Sequence, residues 1–261
     1  MADLYEEILK IKSEGKRGVV ATIVRAQGST PREVGAKMLI REDGTCQDTI
    51  GGGRLEAEVM REAAKTLGEG KPRTIRYDLS QESSDVGMIC GGNVEVYLEP
   101  IIPVPKVFIF GGGHVSLPVA HMSKMAGFGV SVIDDRSQFA NPERFPEAEE
   151  VFAEEFSSAL KKLRVNRESY LVIVTRGHAY DQEVLEWAMG TPARYIGMIG
   201  SRKKVQTVFD NLRAKGLSPE KLEQVHAPIG IDIGSETPAE IAVSIVAEMI
   251  RERRKGTGGG A

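Results

Sequence analysis

Three glycine-rich segments concentrate the residues that could do chemistry. Val107–Ala120 reads VFIFGGGHVSLPVA, with Gly111-x-Gly113-x-x-Ser116 between an apolar run and a helical pattern. That order is a dinucleotide fingerprint. Gly111 allows the tight turn, Gly113 lets backbone N–H groups approach a pyrophosphate, and the helix start holds the anion. Ser116 stands where a third glycine is usual, and His114 lies within the loop. The next apolar run ends at Asp134-Asp135-Arg136, about twenty residues on, where a carboxylate can bond ribose hydroxyls. Arg136 leaves NAD and NADP both open. One reading is therefore an NAD(P)-dependent oxidoreductase; another is the same fold without a bound nucleotide.

The second segment, Thr49–Glu56, reads TIGGGRLE. Gly51, Gly52 and Gly53 entering a helix make a nest for an anion, and Arg54 adds positive charge. Glu56 lies near that entrance and could serve as an acid, base or ligand; it could equally be a helix-start carboxylate favoured by the dipole. The third segment is Met88–Asn93, MICGGN. An accessible Cys90 thiolate beside Gly91 and Gly92 could bind a soft metal or carry sulfur. Cys46, in a hairpin strand, is expected to pack. Two of the four histidines, His114 and His178, fall at the ends of apolar runs, and Ser201-Arg202 follows another such run. The spacings match no compact zinc motif, so no metal held by protein ligands alone is expected.

The elements that position these residues fall into two textures. Up to residue 100, helix Asp3–Glu14, strands Arg17–Ala26 and Ala36–Ile40, a hairpin arm Thr45–Ile50, a helix from Gly53 to a stop at Gly68, and strands Arg73–Tyr77 and Asn93–Leu98 mix without βαβ alternation. That pattern predicts a smaller α+β domain over residues 1–100. Pro100, Pro103 and Pro105 then predict a stiff linker, residues 101–105. Over 106–255, near-continuous apolar strands alternate with amphipathic helices, among them His114–Ala126, Ser157–Leu163, Asp181–Met189 and Lys203–Lys215. This predicts a Rossmann-like, doubly wound parallel sheet covered on both faces. In such α/β sheets ligands gather at the carboxyl ends of the strands, where His114, His178, Ser201 and Arg202 are placed. Residues 256–261 are expected to form a flexible tail.

With 261 residues, a formal charge of −3 and 27% charged residues, the composition is that of an ordinary soluble globular protein. Neither half carries the basic excess that holds a nucleic-acid backbone. No apolar run is long enough to span a bilayer, and the start lacks a secretory pattern. Two cysteines cannot make a disulfide framework, and the expected compartment is the cytoplasm.

Taken in order, ATIVRAQGSTPREVGAKMLI, IGGGRLEAEV, CGGNVEVYLEP, FGGGHVSLPVA, VIDDR, VTRGHAYD, IGMIGSRKK and HAPIGIDIGSETPAEIAVSI span nearly the whole chain. This set resembles the xanthine dehydrogenase accessory protein family, XdhC/CoxI. The resemblance implies an accessory protein, or chaperone, more than an enzyme. Its members bind the molybdenum cofactor, a molybdopterin with a dithiolene-held metal and a phosphate. They support exchange of an oxo ligand for sulfur with a cysteine desulfurase, and deliver the cofactor to xanthine dehydrogenase or a related molybdenum hydroxylase. It further implies that Cys90 touches molybdenum or relays sulfur, and that Glu56 positions a proton or bonds the pterin. Gly53-Arg54, where some CO dehydrogenase accessory proteins carry Cys, favours the xanthine dehydrogenase branch. A homodimer is plausible for a protein that docks a dimeric client.

Overall fold

A computed structural model describes residues 3–79 and 92–255. The chain divides into two compact units, Met1–Pro103 and Val104–Lys255. Cys90, Gly91 and the tail 256–261 lie outside the described residues.

The first unit opens with α1 (Leu4–Ser13), capped reciprocally by Asp3 and Glu6. It continues through β1 (Gly18–Gln27), β2 (Lys37–Arg41), β3 (Cys46–Asp48), α2 (Gly53–Glu69), β4 (Arg73–Asp78) and β5 (Asn93–Ile101). The strands form one antiparallel sheet in the order β3-β2-β1-β5-β4. Alternation along β1 sorts its side chains between two layers. Val19, Ala21 and Ile23 join Leu55, Val59, Ala63 and Leu67 of α2, while Val20 packs with Leu4 and Ile11 of α1. The helix α2 runs one residue past the expected stop at Gly68. Gly70, at φ 64°, supplies the left-handed cap and returns its N–H to the Thr66 carbonyl.

The strand β5 also runs further than its prolines suggest. Pro100 pairs opposite Val19 and Ile101 opposite Gly18, so the expected linker loses its first residue to the sheet. The register of β4 ends at Leu98, so Pro100 lies where one side of β5 has no neighbouring strand to receive an N–H.

The second unit contains β6 (Lys106–Phe110), α3 (Ser116–Met125), β7 (Gly129–Asp134), β8 (Glu150–Ala153), α4 (Phe156–Ala159) and β9 (Ser169–Ile173). After these come α5 (His178–Ala188), β10 (Tyr195–Met198), α6 (Arg202–Ala214), α7 (Pro219–Leu222) and α8 (Pro238–Lys255). All five strands are parallel, in the order β10-β9-β6-β7-β8. Counted within the unit this is 5-4-1-2-3, the doubly wound arrangement whose switch point lies between β6 and β9. A single parallel bridge, Gly197 to His226, adds the stub of a sixth strand beyond β10. Val107 and Ile109 face α3 and α8 through Val119, Ile245 and Met249. Phe108 and Phe110 face α4, α5 and α6 through Phe156, Leu185 and Val208.

Several helices differ from expectation. The segment Ser157–Leu163 keeps only the single turn of α4, and α5 starts at His178, three residues before the expected Asp181. Between β7 and β8 the chain crosses without a regular helix.

Candidate functional site

In the first unit, the turn from β3 into α2 consists of three glycines with positive φ: 133° at Gly51, 77° at Gly52 and 60° at Gly53. Side chains with a Cβ rarely adopt such a run. It brings the backbone against a neighbouring loop, because a Cβ on Gly51 would lie 2.4 Å from Cγ of Pro31. Gly92 approaches that loop from another direction: its Cβ would meet the carbonyl oxygens of Gln27 at 2.5 Å and Ser29 at 2.6 Å. The N–H of Leu79 donates to the Gly92 carbonyl at 2.9 Å. Gly51 of the second glycine segment and Gly92 of the third therefore both meet the loop around residues 27–31.

The nest itself is already engaged. Glu56 Oε1 accepts from Thr49 Oγ1 at 2.5 Å, from the Ile50 N–H at 3.1 Å and from the Gly52 N–H at 2.9 Å. The Gly51 N–H donates to Thr49 Oγ1 at 3.1 Å. Partial burial pushes the Glu56 carboxyl up, but the hydrogen bonds from Thr49, Gly52 and Ile50 outweigh it and hold its pKa below the usual carboxylate range. At neutral pH Glu56 is an ionised acceptor that fixes the glycine turn. Arg54 pairs along the helix with Glu58 at 2.7 Å. Cys46, expected to pack, is exposed on the edge strand β3. Burial of part of the thiol, with the charge of Glu56 nearby, raises its pKa, so it is no thiolate at neutral pH.

In the second unit the glycine loop follows β6. Gly111 is seated against the end of β9, where its Cβ would meet the Val174 carbonyl oxygen at 2.4 Å. Ser116, in the third-glycine place, is buried and donates to the Gly111 carbonyl at 2.5 Å. Around Gly113 the space is open, and His114 is exposed.

Asp134, expected to meet ribose, is turned inward and only 2% exposed. It accepts from the Gly112 N–H at 2.8 Å and from Arg136 through N–H at 3.0 Å, Nε at 2.8 Å and Nη2 at 2.9 Å. Burial alone would raise its pKa; the Arg136 and Gly112 bonds lower it below the ordinary value. Asp135 accepts from Arg176 Nη2 at 2.5 Å and from the Tyr180 hydroxyl at 3.3 Å. Ser201 caps α6 by accepting the Lys204 N–H, while His178 and Arg202 are exposed at the starts of α5 and α6.

A buried cluster beside this edge escaped the sequence reading. Asp181 is fully buried, accepts from Thr175 Oγ1 at 2.7 Å and ion-pairs with Lys204 Nζ. The stem of Lys204 lies over Gly200, whose Cβ would sit 2.7 Å from Lys204 Cδ. The signal was present: Asp181 precedes Val184, Leu185 and Ala188 at helical spacing, which places a carboxylate on a buried face. Among the described residues, no group of three or more His, Cys, Asp or Glu side chains could hold a metal ion. No helix there is long and apolar enough to cross a membrane.

A parallel Rossmann-like unit preceded by an antiparallel α+β unit with its own glycine turn defines the class. The family model described as the XdhC Rossmann domain matches residues 107–249, and that of the XdhC and CoxI family matches residues 11–78. The chain belongs to the XdhC/CoxI family.

It is 35% identical over 259 residues to YqeB of Escherichia coli K12, covering 98% of this chain and 47% of that protein. The chain thus spans about half the length of that relative. It is 23% identical over 334 residues to a Bacillus subtilis 168 protein described as a probable xanthine dehydrogenase component, covering 98% of this chain and 99% of the other. To PaoD of Escherichia coli K12, a molybdenum cofactor insertion chaperone, it is 24% identical over 307 residues, covering 97% and 90%. A solved structure, described as a xanthine dehydrogenase from Bacillus halodurans, matches with a TM-score of 0.55 and 25% identity over 98% of this chain and 97% of that one.

Proposed function

We propose that this chain binds the molybdenum cofactor as cargo and serves its insertion into a molybdenum hydroxylase such as xanthine dehydrogenase. The observation that carries the reading is the match to PaoD, a molybdenum cofactor insertion chaperone, which runs through 97% of this chain. The glycine turn of the first unit supports it, because Gly51 and Gly92 both press on the loop at residues 27–31. In this reading the phosphate of the cofactor lies by Gly53 and Arg54 at the start of α2, where the helix end favours an anion. Glu56 keeps the turn in shape and acts as a positioning residue. Cys90, outside the described residues, touches the molybdenum or relays sulfur brought by a cysteine desulfurase. A cytoplasmic homodimer delivering to a dimeric client completes the proposal.

The test is retention of isolated molybdenum cofactor by the purified full chain through gel filtration, with molybdenum and pterin both quantified. Wild type is expected to retain both and Cys90→Ala to lose them. Retention by both proteins would keep the cargo reading and remove Cys90 from the binding contacts. Loss by both would overturn the reading.

A further inference from the structure

The Rossmann-like unit carries the loop of a dinucleotide site, yet the acid at the end of its second strand is engaged by the chain itself. Three contacts close on the single residue Gly112. Its N–H donates to Asp134 Oδ2 at 2.8 Å, and its carbonyl accepts from Arg144 Nε at 3.1 Å. Its α-carbon faces the backbone of Phe139, where a Cβ would lie 2.2 Å from the carbonyl oxygen. The N–H, the carbonyl and the α-carbon of the residue between the two fingerprint glycines are therefore all engaged by the chain.

The acid that should grip the ribose diol is engaged as well. Arg136 chelates both oxygens of Asp134 through Nε and Nη2, and its guanidinium stacks 3.8 Å above the Phe139 ring. Arg144 lies 5.5 Å from the same ring centroid. Two arginines thus hold Phe139 where the crossover from β7 to β8 has no regular helix. In a dinucleotide-binding unit the acid at the end of the second strand accepts from ribose hydroxyls. Here that acceptor already has a bidentate guanidinium and a backbone N–H, the stronger kind of partner.

From this geometry we infer that the unit is a Rossmann fold without an adenosine site: residues Asp134–Arg144 form a built-in plug, and neither NAD(H), NADP(H) nor another adenine dinucleotide binds at the Gly111–Gly113 loop. The inference stands apart from the cargo reading, which fails or survives on cofactor retention alone.

Two measurements on the full chain test it. Isotope-labelled protein is titrated with NADH and NADPH to millimolar concentration while the amide signals of Gly111, Gly112 and Gly113 are followed. Unmoved signals are expected, whether or not a nucleotide binds elsewhere; saturable shifts at these three amides would overturn the inference. The second measurement is the thermal unfolding midpoint of Asp134→Asn. The plug predicts a fall of several degrees, because neutralisation weakens the hold on Arg136 and Gly112. An unchanged midpoint would show a carboxylate free for a ligand and would overturn the plug.

Discussion

Glu56 and Asp134 solve the same local problem. Each carboxylate accepts the N–H groups of a glycine turn that a sequence reader assigns to an outside anion. Residue types and spacing found both turns and both acids, but spacing does not say whether a nest is filled by a ligand or by the chain. In the structure the two carboxylates lie within hydrogen-bond distance of the Ile50, Gly52 and Gly112 N–H groups. For Glu56 the consequence is measurable. Its folded pKa is depressed, so its contribution is present above the unfolded value of about 4.5 and is lost as pH falls through the folded value. Glu56→Gln is expected to lower stability by about 1–2 kcal/mol at neutral pH, the scale of hydrogen bonds to a charged acceptor. The difference from wild type should shrink as the pH drops below the ordinary carboxylate range. Urea midpoints at pH 7 and at about pH 3 check it; a gap that persists in acid would assign the loss to packing instead.

At the scale of elements, two polar anchors tie helices to the parallel sheet. The first joins α5 and α6, where buried Asp181 receives Thr175 and pairs with Lys204. Lys204→Met leaves that carboxylate buried without its cation and is expected to cost about 3–5 kcal/mol, whereas adding Asp181→Asn should restore most of it. Denaturant unfolding of the single and double variants decides; equal losses would show that the pair does not act as a unit. The second anchor is Glu248 of α8. It accepts from the Tyr195 hydroxyl at 2.8 Å, the Gly230 N–H at 2.9 Å and Arg251 Nη2 at 2.9 Å, with His226 Nδ1 at 3.2 Å. Burial opposes ionisation, but the bonds from His226, Tyr195 and Gly230 bring its pKa down to about 2. This stabilisation is complete above about pH 4.5 and disappears as pH falls toward 2, about 3 kcal/mol in all. Glu248→Gln should flatten the acid limb of the stability curve; a limb as steep as wild type would refute the assignment. The partners Lys204 of Asp181, and Tyr195, His226 and Gly230 of Glu248, were hard to see in the sequence because each lies at least 18 residues from its carboxylate. The strands were legible: β6, β7, β9 and β10 are near-continuous apolar runs, as burial on both faces requires. Helix starts were less so: α3 begins at Ser116 and α5 at His178, each without a side-chain cap that the residue types could signal.

At the scale of the whole molecule, each unit has its own apolar core among the described residues. Leu55, Val59 and Leu98 belong to a core built from the first unit, and Ile109, Val172 and Ile245 to one built from the second. The boundary between the units falls between Pro103 and Val104. Each piece also has one five-stranded sheet of its own. Domains of roughly 100–150 residues bury enough surface to fold alone. Residues 104–255 expressed separately should therefore unfold in one cooperative thermal transition and keep dispersed amide signals, and residues 1–103 should do the same. The glycine turns divide with them, so the smaller piece should keep the Glu56 contribution and its acid dependence unchanged, while the larger piece should keep that of Glu248. A fragment that melts without a transition would show that its fold depends on the other unit. A fragment that melts cooperatively but loses its own acid limb would show instead that the anchoring carboxylate is positioned from outside it.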